Sequence, residues 1–176
     1  LRNSSAASDV YKRQALWYFR WAAAFTFFTG LYLLYYLKTT ASIAIALGAL
    51  MGTIMAANVW FIIWPNQKKV IAGAPDAAEA GAKAGLASRT NTLLSIPMLY
   101  LMVYSAHGAG AAGITALAAI SWPSLWIGVA LILMIEINAL FGKMNPMITS
   151  VKAVIHSGVL LTIIFAVSYT HLTLPT

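Results

Sequence analysis

The sequence contains no cysteine. This absence excludes disulfide bonds, thiolate metal sites and iron–sulfur clusters in the chain. It also excludes a covalently attached c-type haem, because that attachment needs a Cys-x-x-Cys-His segment. A redox metal must therefore be held through histidine or be supplied from elsewhere.

Charged residues are scarce as well. They make up 9% of the chain, against roughly 25% in ordinary soluble domains, while 61% of residues are hydrophobic. This balance predicts an integral membrane protein. The formal net charge of +7 would indicate nucleic-acid binding in a soluble protein, but here the basic residues cluster between apolar segments, where they meet anionic lipid head groups. We therefore expect a lipid bilayer, and no nucleic acid, as a partner.

The two ends of the chain differ in character from the rest. Residues 1–14 (LRNSSAASDVYKRQ) are polar, and residues 168–176 interrupt an apolar helix with polar residues and proline. Both resemble translated sequencing-adaptor sequence, so we expect neither to be native and leave both out of the fold prediction. On this interpretation the chain is a fragment, with its transmembrane domain at 15–167.

Five apolar segments predict the fold class, an all-α membrane helical bundle. A bilayer needs about 20 apolar residues per helix, and the predicted helices cover 16–37, 41–64, 90–107, 121–141 and 147–167. In the second helix, Gly48, Gly52 and Ala56 recur at spacing four and predict a packing seam. Its end is predicted at Trp64, because Pro65 and two lysines follow.

The basic residues predict the orientation of the helices, since lysine and arginine stay mostly on the cytoplasmic side. One side receives most of them: Arg20, Lys68, Lys69, Lys83, Arg89, Lys143 and Lys152. The other side receives Lys38. We therefore predict a multi-pass membrane protein with a cytoplasmic loop at 65–89.

Glu136 is the clearest candidate for chemistry, since a polar side chain inside a membrane helix implies a partner or a role. It lies about five residues from the cytoplasmic end of its predicted helix, or roughly 7 to 8 Å deep at 1.5 Å per residue. His156 is predicted at a similar depth in the last helix. We predict that Glu136 or His156 manages protons. The alternative is that they bond to each other or to a neighbouring helix to fix the packing, and His156 is also a candidate haem ligand.

Asn58, Asn91 and Thr92 are predicted in the same third of the bilayer, where they could share a polar pocket with Glu136. In that case they would bond a substrate edge, with Trp60 or Phe61 available for stacking. The alternative is that Thr90, Asn91 and Thr92 cap the third helix and that Asn58 bonds across a helix interface. No metal site is predicted from these residues.

Three strings carry a resemblance to a known family: ALWYFRWAAAFTFFTGLYLL, GTIMAANVWFIIWPNQKKVIA and AGLASRTNTLLSIPMLYLMVYSAH. Together they resemble the membrane domain of bacterial urate hydroxylases, the urate oxidase N-terminal domain family. The resemblance implies oxidation of urate to 5-hydroxyisourate, with electrons passed to a cytochrome c domain or carrier. It also implies a place in the bacterial inner membrane. The haem c would belong to a C-terminal domain missing from this fragment, which we expect to be inactive alone.

A second function class stays open from the residues. The chain could be a non-catalytic membrane module, either a transporter or a haem-carrying electron-transfer subunit. A transporter would be expected to show internal repeats and a broken helix at the midplane, and no convincing repeat is seen. A haem subunit would want paired histidines on facing helices, and His156 alone qualifies.

Overall fold

The computed structural model describes residues 2–36, 42–107 and 122–172. Within these ranges the regular secondary structure is helical and no strand occurs, which confirms the all-α part of the predicted fold class. The helices are α1 (Arg2–Tyr36), α2 (Ile43–Ala57), a π-helical segment (Asn58–Ile63), α3 (Trp64–Ala72), α4 (Ala77–His107), α5 (Trp122–Phe141) and α6 (Val151–Leu172). Leu37, Ala41 and Ser121, at the ends of predicted helices, lie outside the described residues.

The second predicted helix does not end at Trp64. The helix continues through Pro65 to Ala72, where Gly73 closes it in the left-handed region at φ 64°. A π-helical turn precedes the proline, and the Trp64 amide donates to the Val59 carbonyl five residues back. In a regular helix the ring of Pro65 would clash with the carbonyl four residues back. The wider turn relieves that clash, so the proline is accommodated and the predicted end was wrong.

The predicted loop at 65–89 is largely helical. α3 covers its first part and α4 begins at Ala77, so the break between them is short. Thr90 lies inside α4 and is 1% exposed. It therefore does not cap a helix, and neither do Asn91 and Thr92. The Ala-rich stretch from Ala77 continues directly into the apolar helix because no residue between them interrupts it.

α4 is the central helix of the fold, packing against α2, α3, the π segment, α5 and α6. Two glycines allow these close approaches. A Cβ on Gly48 would lie 3.1 Å from Met102 Cγ, and one on Gly158 would lie 3.2 Å from the Leu93 carbonyl oxygen. The predicted seam on α2 is confirmed at Gly48 and at Gly52, which faces Met98 of α4.

Two of the described helices are long and apolar enough to cross a membrane, namely Ile43–Ala72 and Val151–Ser168. A third apolar helix, Leu125–Phe141, is shorter. Five membrane spans are therefore not confirmed. Little of either long helix is buried inside the fold, so most of its apolar surface faces outward. That surface suits contact with lipid better than the core of a soluble domain.

The residues set apart at the two ends of the sequence are partly helical. α1 begins at Arg2 and runs without interruption through residue 14 to Tyr36, and α6 continues past residue 168 to Leu172. Residues 173–176 lie outside the described residues. Within the predicted transmembrane domain, the helix bounds at 122–141 agree closely with the prediction of 121–141.

Candidate functional site

Three polar side chains from three helical elements meet inside the bundle. Asn58, at the start of the π segment, is 2% exposed, and its Nδ2 donates to Glu136 Oε2 on α5 at 3.0 Å. The same Nδ2 donates to Asn91 Oδ1 on α4 at 3.0 Å. Asn91 Nδ2 in turn donates to the Met55 carbonyl oxygen at 3.0 Å. We call Asn58, Asn91 and Glu136 the polar chain.

The polar chain forms where the second helix widens. Met55 lies in the last turn of α2, immediately before the π segment, and its carbonyl oxygen receives the Asn91 amide. Short π-helical insertions inside longer helices are frequent at functional sites. Here the insertion begins at Asn58, the residue that bonds to both α4 and α5. The irregular turn and the polar chain therefore coincide.

Glu136 lacks a cationic partner within the described part of the chain. It is 9% exposed, and the hydrogen bond it accepts comes from the neutral Asn58 amide. An ionised carboxylate in apolar surroundings is costly unless it is paired and hydrogen-bonded. The Asn58 amide does not fix the charge of the carboxyl group, whereas pairing with arginine or lysine would favour the carboxylate.

A cleft of about 750 Å³ lies beside the polar chain, between α1, α2 and α4. Its walls are mainly apolar, and Asn91 is the member of the polar chain that lines it. Hydroxyl groups line it as well, from Thr26, Thr53, Ser88, Thr92 and Ser95. The size falls within the range of about 300 to 1,000 Å³ that is usual for small-molecule sites.

Hydroxyl groups that line the cleft, including those of Thr53, Thr92 and Ser95, donate to backbone carbonyl oxygens of their own helices. Thr92 Oγ1 donates to the Ser88 carbonyl at 3.1 Å, and Ser95 Oγ donates to the Thr92 carbonyl at 2.8 Å. Thr53 Oγ1 donates one turn back in the same way. Each oxygen is therefore left with lone pairs that can accept a hydrogen bond from a ligand N–H.

The structure brings together three of the six predicted site residues, Asn58, Asn91 and Glu136. Thr92 is an exposed residue of α4 that lines the cleft but bonds only to its own helix among the described residues. The roles given to these residues stay predictions.

Trp60 and His156 do not join the polar chain. Trp60 packs edge-on against Trp21 at 5.9 Å and lies under the Arg20 guanidinium at 5.2 Å. The side chain of His156 is exposed on α6, and within the described residues it makes no hydrogen bond to the polar chain. The expected convergence of His156 with Glu136 was wrong, because similar depth along two helices does not fix which way a side chain points.

Sequence reasoning missed Ser88 and Ser95, although a signal was present. Together with Thr92 they stand at spacings of four and three, which place them on one face of a helix beside Asn91. That pattern was obscured by the predicted start of a helix at residue 90. Within the described residues, no three of the His, Cys, Asp and Glu side chains come together as a metal site would require.

The model of one family, described as urate oxidase N-terminal, matches residues 39–170 of this chain. That match covers well over half of the sequence and includes the whole polar chain. The chain belongs to the urate oxidase N-terminal family. No curated protein and no solved structure matches it. The family match confirms the resemblance seen in the sequence, and it leaves out the whole of α1, which supplies one wall of the cleft.

Proposed function

We propose that this member of the urate oxidase N-terminal family is the urate-binding part of a membrane-bound oxidoreductase that converts urate to 5-hydroxyisourate. The observation that carries the proposal is the polar chain, which leads from the cleft wall at Asn91 to the buried carboxyl group of Glu136. The family description supports urate as the molecule concerned.

Urate is a flat purine anion with ring N–H groups and three carbonyl oxygens. Its N–H groups need acceptors, and the hydroxyl oxygens of Thr92 and Ser95 keep lone pairs for that purpose. Its faces need apolar surface, which the cleft provides. In this proposal Asn91 and Thr92 bind the purine edge. Asn58 does not line the cleft, so its part is to orient Asn91.

The reaction joins one water molecule to urate and removes two electrons and two protons, forming a C–O bond at C5 of the purine. A negative charge behind the amides favours the departure of electrons from the ring, and a carboxylate accepts a proton. We assign that proton to Glu136, because it is the buried member of the predicted pair while His156 is exposed. Glu136 does not line the cleft and an amide does not relay a proton, so in this proposal the proton reaches Glu136 through a bridging water molecule. A well-placed general base contributes roughly 10² to 10⁴ in rate.

The two electrons must leave to a separate acceptor, which we propose is a cytochrome c domain or carrier. The chain has no cysteine and so cannot hold a haem c covalently. When bound in such a partner, the haem supplies a one-electron acceptor. We further propose that the helices form a five-span bundle in the bacterial inner membrane. The two long apolar helices and the one-sided distribution of basic residues support that placement.

Replacing Glu136 by glutamine tests the proposal. Glu136→Gln keeps the size of the side chain and an oxygen that can accept from Asn58, but removes the charge and the proton acceptor. Glu79→Gln is the matched control, since Glu79 is an exposed carboxylate paired with Lys83 at 2.9 Å. Urate loss is followed by its ultraviolet absorbance in detergent-solubilised protein, alongside equilibrium dialysis of labelled urate. Ferricyanide is added in place of the cytochrome c acceptor, without which we expect the chain to be inactive.

The expected result for Glu136→Gln is urate binding within a fewfold of the parent chain and turnover at least about 100-fold lower. The control should match the parent chain in both measurements. Parent-like turnover by the glutamine variant would refute the role of Glu136. If the parent chain fails to bind urate at all, the assignment of the cleft is wrong.

A further inference from the structure

A second cavity, of about 700 Å³, lies between α1 and α3 and is lined by basic side chains. We call it the basic cavity. Its cations are Arg20 of α1 with Lys68 and Lys69 of α3, and Arg13, from the terminal segment that we expect not to be native, also lines it. It shares no lining residue with the cleft beside the polar chain. The charge distribution of the sequence put three of these residues on one side of the membrane, and the structure gathers them around one space.

Most of this positive charge has no carboxylate to offset it. Lys69 pairs with Asp76 at 2.6 Å, outside the cavity lining. For Arg13, Arg20 and Lys68, no carboxylate within the described residues comes within ion-pair distance. The Nε of Arg20 is also buried without a hydrogen-bond partner. A buried N–H of a charged group left without an acceptor is costly, so an anion that reaches Arg20 Nε would be bound favourably.

Aromatic contacts hold two of the cations close to each other. The guanidinium carbon of Arg20 lies 4.2 Å from the centre of the Trp64 ring, and Lys68 Nζ lies 4.1 Å from it. Both distances are within the range of a cation–π interaction. The shared ring holds the two like charges within about 8 Å of each other, which is unfavourable unless an anion offsets them.

The basic cavity is bordered by both cationic and apolar side chains, which suits an amphiphilic ligand. Leu16, Trp17 and Ile71 line the same space as the cations. Along α1, exposed aromatic side chains continue away from the cavity, including Trp21 at 47% and Phe25 at 74% exposure. A free inorganic ion would use the cations and leave this apolar surface unused. A lipid would use both, with its phosphate among the cations and its chains along α1.

We propose that the basic cavity binds the phosphate head group of an anionic phospholipid. Cationic pockets between membrane helices on the cytoplasmic side bind acidic head groups in this way, and each lysine or arginine near such a head group contributes about fivefold in affinity. Arg20 supplies its unpartnered N–H, Lys68 supplies an exposed ammonium group, and both contact the Trp64 ring.

Native mass spectrometry of the full chain in detergent micelles tests this site. The probes are phosphatidylglycerol and phosphatidylcholine of matched acyl chains, added separately at several concentrations. The variants are Lys68→Gln, Arg20→Gln and the double variant. Lys152→Gln is the matched control, because it removes the same charge from an exposed position on α6 that does not line the cavity. Circular dichroism shows which variants keep the helical fold.

The expected result is preferential retention of phosphatidylglycerol by the parent chain and by Lys152→Gln. Lys68→Gln should bind it about fivefold more weakly and the double variant about 25-fold more weakly. Equal retention by Lys68→Gln and the control would overturn the proposal, even if Arg20→Gln does not fold. Displacement of the lipid by millimolar inorganic phosphate would overturn it in favour of a free-phosphate site. Displacement by urate would overturn it in favour of a substrate site.

Discussion

The hydrogen bond between Asn58 and Glu136 gives the most direct test of the polar chain. The perturbations are Asn58→Ala, Glu136→Ala and the double variant, compared in a double-mutant cycle. Asn58 is 2% exposed and donates to both Glu136 and Asn91 at 3.0 Å. Removing it leaves two acceptors without their donor. At about 1 to 3 kcal/mol for each buried group, Asn58→Ala should destabilise the fold by about 2 to 6 kcal/mol.

The coupling energy of the pair is smaller than the cost of either single substitution. Hydrogen bonds to charged groups contribute about 1.5 to 3 kcal/mol, whereas interhelical hydrogen bonds in membranes average about 0.6 kcal/mol and reach about 1.7. The contact joins a carboxyl group to an amide inside a protein interior, so it should lie where the two ranges meet. We expect a coupling of about 1.5 kcal/mol.

The measurement is unfolding of each variant in mixed micelles of increasing sodium dodecyl sulfate, followed by circular dichroism. The four free energies of unfolding give the coupling, because the cavity terms of the single substitutions cancel in the cycle. A coupling below about 0.5 kcal/mol would show that Asn58 and Glu136 are neighbours without energetic dependence. The interpretation of the polar chain as one unit would then fail.

Two further predictions follow from helix packing and from the exposed ion pairs. Gly158→Ala should destabilise the chain by about 1 to 3 kcal/mol, because its Cβ would press on the Leu93 carbonyl; Gly85→Ala, which meets nothing within 4 Å, should be neutral or slightly stabilising in the same unfolding assay. The hydrogen bond from Lys69 lowers the pKa of Asp76, so its contribution to stability is present above the ordinary aspartate pKa and is lost as pH falls through the lowered value. The hydrogen-exchange protection factors of amides at the end of α3 and the start of α4 should fall over that acid range in the parent chain but not in Asp76→Asn. Unchanged protection factors in the parent chain would contradict the assignment.

The helical class of the fold followed from composition and from the length of the apolar segments, and the structure agrees where it describes them. The bounds did not follow as well. Pro65 was predicted to end the helix, as it would in a regular α-helix, but the π turn upstream of it allows the helix to continue. Thr90 has the chemistry of a cap, yet the alanine-rich stretch before it continues the helix. Both errors arose because a local signal was overruled by its neighbours.

The candidate site was predictable in depth but not in direction. Rise per residue put Asn58, Asn91 and Glu136 at a common level, and the structure joins them. The same reasoning placed His156 beside them, although its side chain is exposed. A side chain's azimuth depends on helix packing, which the sequence does not specify. The hydroxyl groups of the cleft could be predicted only if α4 was known to continue without a break through residue 90.

The π segment changes the direction in which the second half of its helix faces. Residues seven apart in a regular α-helix lie on nearly the same side, so Asn58 and Pro65 would be expected to face one neighbour. One extra residue in the turn offsets the later part by about 100°. Asn58 consequently faces α4 and α5, whereas Pro65 lines the basic cavity against α1. One continuous helix thus lines two separate cavities on different sides of itself. Removing one residue between 58 and 63 would bring the side chains before and after the π segment back onto one face.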